Sequence, residues 1–411
     1  MAQTVQGIRD MAARCMTENT RLIAQSDLNG CGDGMQIIKV GDFVYVAHVG
    51  SSDKALTILD CSDVENPKVV RQLTHPPSTH NHKVQIVGNV LIQNSEWISY
   101  VPTSGNAKPV CGVNVYNLDD PTDPRQIAFY PVDDGHGVHR IWFRDMPYAW
   151  IAAEAPGAKG RGLRVLDLSN PAEPTLAGSW WLPGQKATDE EHWERLDPHH
   201  THFQVHGVIP HPNSQRAYAS CTDAGMVILD VTDLANIRFI SRVNWCPPYG
   251  GYSHTSLPLP GRDLVVEVCE TVDGGRESNG DKRIWLIDVR EERNPMLISS
   301  FKWPVPPARS PWESFHDRPL RFGPHNVHEN YANGYVSERL IFSTYFNAGV
   351  RIHDITDQDR PEEIGYFIPP EPEGQAAPQI NDLFVDKDGL IYCTDRRTGG
   401  MYIAEYTGPK L

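Results

Sequence analysis

A seven-bladed β-propeller, an all-β fold of four-stranded antiparallel blades, is what this sequence predicts, and three observations predict it. First, a strand-like run ends six times in nearly the same words: ALTILDCSDVENP (55–67), GVNVYNLDDPTDP (112–124), GLRVLDLSNPAEP (162–174), GMVILDVTDLANI (225–237), RIWLIDVREERNP (283–295) and GVRIHDITDQDRP (349–361). The equivalent residues Asp60, Asn117, Asp167, Asp230, Asp288 and Asp354 are spaced 50 to 66 residues apart. Second, two more strand-like runs precede each ending and one follows it, which is the strand content of a blade. Third, after PQINDLFVDKDG, LIYCTD and GGMYIAEYTG a seventh blade stops one strand short. ENTRLIAQSDLNG (18–30) reads as the tail of a repeat with no repeat before it. The N-terminal segment is therefore expected to supply the last blade's outer strand, which removes an exposed sheet edge.

In chain order, IRDMAARCMTE (7–17) reads as a short leading helix. The first two strands of successive blades are MQIIKVG and DFVYVAHVG, HKVQIVG and NVLIQNSEW, HRIWFRD and YAWIAAE, HGVIPHP and RAYASCTD, HTSLPLP and DLVVEVCE, then HNVHEN and RLIFSTYF. Two connections, 182–202 and 303–325, are long for such a fold and carry Trp, Arg and His, so they read as lids over a site. The whole of 1–411 is expected to form one propeller domain, because blades bury their faces only against one another.

Composition narrows the function classes. A formal net charge of −15 argues against nucleic acid and anionic membrane surfaces as partners. No run of apolar residues is long enough to span a bilayer, and the N-terminus lacks the apolar stretch of a signal peptide. The eight cysteines show no CxxC pairing, and several lie inside strand patterns, as expected of reduced thiols in a cytoplasmic protein. No GxSxG, HExxH or Walker pattern occurs.

The repeat also acts as a ruler for the 17 histidines. His82, His139, His206, His254 and His325 share one phase, the start of each blade's first strand. First strands line a propeller's axis, so these five imidazoles are expected to converge there as metal ligands. A second series, Glu96, Glu154, Asp223, Glu270 and Asp395, ends the second strands and returns to the same face. Neutral imidazoles oriented by carboxylates are how proteins build catalytic metal sites. His80, His136, His199, His200, His202 and His328 flank the ring as lid or substrate residues, and His48 ends the first blade's second strand. Arg140 and Arg321 are candidates to hold an anionic substrate group, and Trp193 and Trp312 to cover a ligand. Tyr345, His200 and His202 are the candidates for acid–base work. Solvated loop carboxylates, ordinary ion pairs and loop packing are the competing structural readings of these acids, arginines and tryptophans.

The endings LTILDCSDVENP and MVILDVTDL resemble the LVIVD repeat, which implies a seven-bladed propeller and leaves the activity open. HNHKVQIVGNVLIQNSEW (80–97) is similar to the HN…SxEW pattern of selenium-binding proteins and methanethiol oxidases, propellers that hold copper with histidines. The His ring backed by Glu is also similar in plan to the carotenoid oxygenases and to oligogalacturonate lyase, which bind iron and manganese through histidine. The expectation is a metal-dependent enzyme with one transition-metal ion (Fe, Mn, Zn or Cu) on the axis and a small-molecule substrate. An oxidase or oxygenase is the first reading. A metal-dependent lyase, isomerase or hydrolase is the second, and a non-catalytic binding propeller the third.

Overall fold

The computed structural model describes residues 5–50, 52–76, 78–97, 109–132, 135–186, 188–189, 203–272, 281–331 and 333–410. Among them the strands form seven four-stranded antiparallel sheets, and the fold is a seven-bladed β-propeller. The chain divides into two compact units, Met1–Thr74 with Thr271–Arg276 and Ser299–Leu411, and His75–Glu270 with Glu277–Ile298.

The repeated ending has a local physical cause. At the end of the third strand the side-chain oxygen of the Asp or Asn accepts a hydrogen bond from the backbone N–H two residues on. The six distances are 2.9 Å at Asp60, 2.9 Å at Asn117, 2.7 Å at Asp167, 3.0 Å at Asp230, 3.0 Å at Asp288 and 2.7 Å at Asp354. A second turn of the same kind follows at Asp63, Asp120, Asn170, Asp233, Glu291 and Asp357. Asp and Asn side chains imitate a backbone turn in this way, and Glu291 makes a longer version at 3.3 Å. The repeat is thus the device that sends the chain from the third strand to the fourth.

In the unit that contains both termini, the first blade runs through Gly34–Val40, Phe43–His48, Lys54–Asp60 and Lys68–Thr74. The seventh comprises Ile380–Val385, Leu390–Asp395 and Gly400–Tyr406, and its outer strand is Thr20–Ser26, paired antiparallel with Gly400–Tyr406. The N-terminal segment also serves the sixth blade, where Met16–Glu18 pairs with Glu362–Ile368. Two blades, not one, are therefore closed from the N-terminus. The leading helix spans Val5–Arg14, ending earlier than 7–17 because strand pairing begins at Met16. HNVHEN (325–330) is not a regular strand. It lies along Leu340–Thr344 through one bridge, Val327 to Ser343, with His325 N–H to Thr344 O at 3.0 Å and His328 N–H to Phe342 O at 2.9 Å. The core of this unit joins Leu340, Phe342, Val350 and Ile352 to Ile380, Leu383, Ile391 and Tyr402, with Cys15 and Leu22 packed in.

The other unit holds the second to fifth blades, whose first strands are Val84–Val87, Val138–Trp142, Gly207–Pro210 and Ser253–Leu259. One core cluster joins Ile92, Val113 and Val115 to Ile141, Phe143 and Ile151. Another joins Tyr218, Met226 and Ile228 to Val265, Trp285 and Ile287. These are the alternate residues of facing sheets.

Neighbouring blades are also tied by a recurring polar contact. A second-strand side chain donates to a main-chain carbonyl near the start of the next blade's first strand. The pairs are Asn94 to Val138 at 2.8 Å, Ser220 to His254 at 2.9 Å, Thr344 to Asn381 at 3.0 Å and Thr394 to Met35 at 2.6 Å. All eight cysteines are free thiols, seven of them buried. Among the described residues no helix is long and apolar enough to cross a membrane.

Candidate metal centre

In four of these sheets the start of the first strand departs from regular pairing. Register shifts between Val138 and Arg140 and between Ser253 and Thr255 leave His139 and His254 unpaired in their ladders. The same irregularity surrounds Asn381 and falls between Gly34 and Ile37. Such bulges re-aim a side chain, and two of the residues they re-aim, His139 and His254, are histidines that the sequence ruler aligned.

Within the unit of the second to fifth blades the histidines draw together as a chain of rings. Centroids lie 3.8 Å apart for His80 and His82, 5.0 Å for His82 and His139, 4.8 Å for His139 and His206, and 4.0 Å for His206 and His254. Two buried groups, His80–His82–Glu96 and His206–His254–Glu270, each have their potential ligand atoms within 4.8 Å of one another, and either could hold a metal ion.

Proton positions at the centre follow from the partners. His139 Nδ1 lies 2.9 Å from both oxygens of Glu96, so it carries a proton and donates it to the carboxylate. His206 Nδ1 lies 2.9 Å from the carbonyl oxygen of His254, which can only accept, so it too is protonated. Both rings therefore present a bare Nε2 lone pair, and these two nitrogens face each other at 3.0 Å. Two lone pairs cannot hydrogen-bond, and an electropositive atom between them removes the repulsion. Nitrogens each about 2.1 Å from one ion stand roughly 3.0–3.4 Å apart in octahedral or tetrahedral geometry. The residues present fit a metal ion.

Electrostatics keep the rings in the ligand state. Burial, and then the charge of Arg161, push His139 down to about 4 against the pull of Glu96. Burial likewise holds His82 and His206 well below the ordinary histidine value. Burial alone would raise the Glu96 carboxyl, but its contacts with His139 and His80 hold it below the usual carboxylate range, so it stays ionised. His82 accepts from the Asn94 amide at Nδ1, 3.1 Å away, and its buried Nε2 has no hydrogen-bond partner among the described residues. Asn94 is itself oriented by Lys83 N–H, 2.8 Å from its Oδ1.

The other sequence candidates are distributed as follows. Glu96 contacts His80 of its own blade at 3.2 Å but orients His139 of the next blade, so the acid serves across the blade boundary. Glu270 lies 3.9 Å from His254 Nε2. Glu154 instead holds His136, through the backbone N–H at 2.9 Å and Nδ1 at 3.1 Å. Asp223 accepts from the backbone N–H of Tyr252 at 3.0 Å, and buried Asp395 from that of Gln379 at 2.6 Å. Arg140 is buried beneath Gly207, where an added Cβ would sit 2.5 Å from its Cδ. His325 and Tyr345 belong to the other unit. There His325 Nδ1 donates to Asn381 O at 2.6 Å, and buried Tyr345 packs near Phe322 at 6.4 Å between ring centroids. His48 is buried between Asp33 and Thr57, 2.7 Å from each. Of the lid 303–325, Phe315 and Arg318 are buried, and Asn347 donates to Phe315 O and Arg318 O at 3.1 and 3.0 Å. His199, His200, His202 and Trp193, in the lid 182–202, lie outside the described residues.

Two neighbours of the histidines escaped the sequence reading. Arg161 Nη1 lies 3.5 Å from Glu96 Oε1, and its guanidinium is near enough to Tyr252 for its charge to act on the hydroxyl. Tyr252, whose ring centroid is 6.0 Å from that of His206, has a left-handed φ of 61°. Arg161 precedes a third strand and Tyr252 stands two residues before His254, places that carry no motif. His80 did have a signal, since in HNH the first and third residues of an extended segment share a side.

The LVIVD repeat model matches residues 31–74 and 148–181. No curated protein matches the chain. Among solved structures, the chain is similar to a functionally unknown protein from Desulfotomaculum acetoxidans DSM 771. The TM-score is 0.52 at 13% identity, over 87% of this chain and 90% of that one, a likeness of fold.

Proposed function

We propose that this LVIVD-repeat propeller is a metal-dependent enzyme that oxidises a small organic substrate, with one transition-metal ion held by Nε2 of His139 and of His206. His254 flanks them as a further imidazole, while His82, which accepts the Asn94 amide at Nδ1, carries its proton on Nε2 and is not a ligand in this tautomer. Glu96 and Glu270 are the adjoining carboxylates. One observation carries the proposal: the two Nε2 lone pairs, of buried His206 and part-buried His139, stand 3.0 Å apart with no proton between them. A set rich in neutral imidazole favours iron, copper or zinc over magnesium or calcium. When bound, such an ion supplies Lewis acidity or the electrons for O₂ chemistry.

The chain's own residues do the rest. Glu96 keeps the His139 proton on Nδ1 and balances charge. Loss of hydration on burial keeps the rings unprotonated at neutral pH. The Tyr252 ring lies beside them, its centroid 6.0 Å from that of His206, and the charge of Arg161 acts on its hydroxyl. One observation favours a non-redox reading, a lyase, isomerase or hydrolase. Burial, and then the charge of Glu270, push Tyr252 up to about 12, so its hydroxyl holds a proton to donate at neutral pH.

Metal analysis of the purified protein, before and after incubation with Fe, Cu, Zn and Mn, tests the proposal. About one ion per chain is expected, lost in His139→Ala and in His206→Ala. Absence of uptake by the wild-type protein would overturn both enzyme readings. Oxygen consumption by the iron or copper form across a substrate panel supports oxidation. Turnover with zinc or manganese and no oxygen uptake selects the non-redox class.

A further inference from the structure

We infer that Arg161 and Tyr252 form the anion-binding end of this site, and that the substrate is a small organic acid whose carboxylate they hold beside the histidines. The inference rests on the metal-site reading for the place of the reacting group, but the anion grip is argued independently of it.

Arg161 is a largely buried guanidinium with one donor, Nε, left over. Its side chain is 11% exposed, and Nε is buried with no hydrogen-bond partner among the described residues. The nearest acid does not satisfy it. Glu96 Oε1 is 3.5 Å from Nη1, longer than a good hydrogen bond, while both Glu96 oxygens lie 2.9 Å from His139 Nδ1. A guanidinium edge matches two carboxylate oxygens, so a guanidinium whose Nε is unpartnered suits a planar anion.

The backbone holds the fork in place. Arg161 N–H donates to Gln204 Oε1 at 3.2 Å, and its carbonyl accepts from Val205 N–H at 2.9 Å and Gln185 Nε2 at 3.0 Å. Tyr252 is held as firmly, in a backbone conformation that non-glycine residues seldom adopt. Its N–H donates to Asp223 at 3.0 Å and its carbonyl accepts from Glu270 N–H at 2.9 Å. Observed strain of this kind gathers at ligand sites.

Charge points the same way. Lys83, Arg140 and Arg161 all act on His206 as cations, whereas the two histidine groups contain only the carboxylates Glu96 and Glu270. A bound divalent ion adds to this positive excess, and a substrate carboxylate offsets it. Arg140, the arginine the sequence suggested for this role, is covered by Gly207.

The test is isothermal titration of wild-type, Arg161→Gln, Arg161→Lys and Tyr252→Phe proteins with monocarboxylates from formate to benzoate. Benzamide and inorganic phosphate serve as controls, and each titration is run on metal-replete and chelator-treated protein. At least one monocarboxylate is expected to bind the wild type, tenfold or more weaker in Arg161→Gln and intermediate in Arg161→Lys, with no binding of benzamide. Should Arg161→Gln fail to fold, the losses in Arg161→Lys and Tyr252→Phe decide the matter. Equal affinity in wild type and variants, tighter binding of phosphate than of any carboxylate, or no carboxylate binding to the metal-replete wild type would each overturn the inference. Arg161-dependent carboxylate binding by a protein that takes up no metal would sink the metal reading and leave the anion site standing.

Discussion

Replacing Glu96 by Gln gives the sharpest test of how the metal site is built. Glu96 is 2% exposed and accepts from His139 Nδ1 through both oxygens at 2.9 Å. Glutamine keeps the size and removes the charge. With its amide nitrogen turned toward His139, Nδ1 becomes the acceptor and the ring proton moves to Nε2, the atom that faces His206 at 3.0 Å. The lone pair needed for a metal is then lost. With the amide oxygen turned toward the ring instead, one of the two contacts survives and the charge balance does not. Outer carboxylates of this kind typically contribute 10–100-fold to metal affinity, which corresponds to about 1.4–2.7 kcal/mol. Competition against a chelator of known affinity reads this directly, with circular dichroism to verify the fold. Wild-type affinity in a folded Glu96→Gln protein would refute the tautomer argument.

Other expectations are spread through the fold. Glu267 is fully buried with Ser253 and Ser256 donating to it at 2.6 and 2.5 Å, and burial pushes its carboxyl up to about 8. A raised acid contributes stability that is complete below the unfolded value near 4.5 and is lost as pH rises toward 8. Glu267→Gln should therefore flatten the fall in stability between pH 5 and 8, on the order of a few kcal/mol, and an unchanged slope in urea titrations would contradict this. Gly137, bridged to Glu96, has a φ of 93° and leaves 2.3 Å between an added Cβ and that of Cys111. Gly137→Ala should cost roughly 2–3 kcal/mol and weaken metal binding, as denaturation and chelator competition would show. Asp167→Ala, which breaks only a turn, should cost about 1 kcal/mol with metal affinity unchanged. A loss of metal there would mean that the turns do more than route the chain.

The seven blades were legible because their turn chemistry is local. An Asx turn needs one short acidic side chain and the next two residues, so it is written the same way each time it is used. The closing strand Thr20–Ser26 was legible for the same reason, through its likeness to a repeat tail. Its neighbour Met16–Glu18 was not, because three residues carry no periodicity. The irregular path of 325–330 was likewise hidden behind an apparent alternation of residues. Of the site, the phase of His82, His139, His206 and His254 could be read, since each stands at or just before the start of its blade's first strand. The reach of Glu96 across to the next blade and the arrival of Arg161 from a loop could not.

By itself, then, the sequence determined the blade count, the turns and which histidines share a phase, since each depends on neighbours within a few residues. Only the tertiary structure decided which carboxylate holds which imidazole, where the protons lie and which arginine faces the rings. Those are relations between atoms 43 to 67 residues apart in the chain, set by how one blade packs on the next.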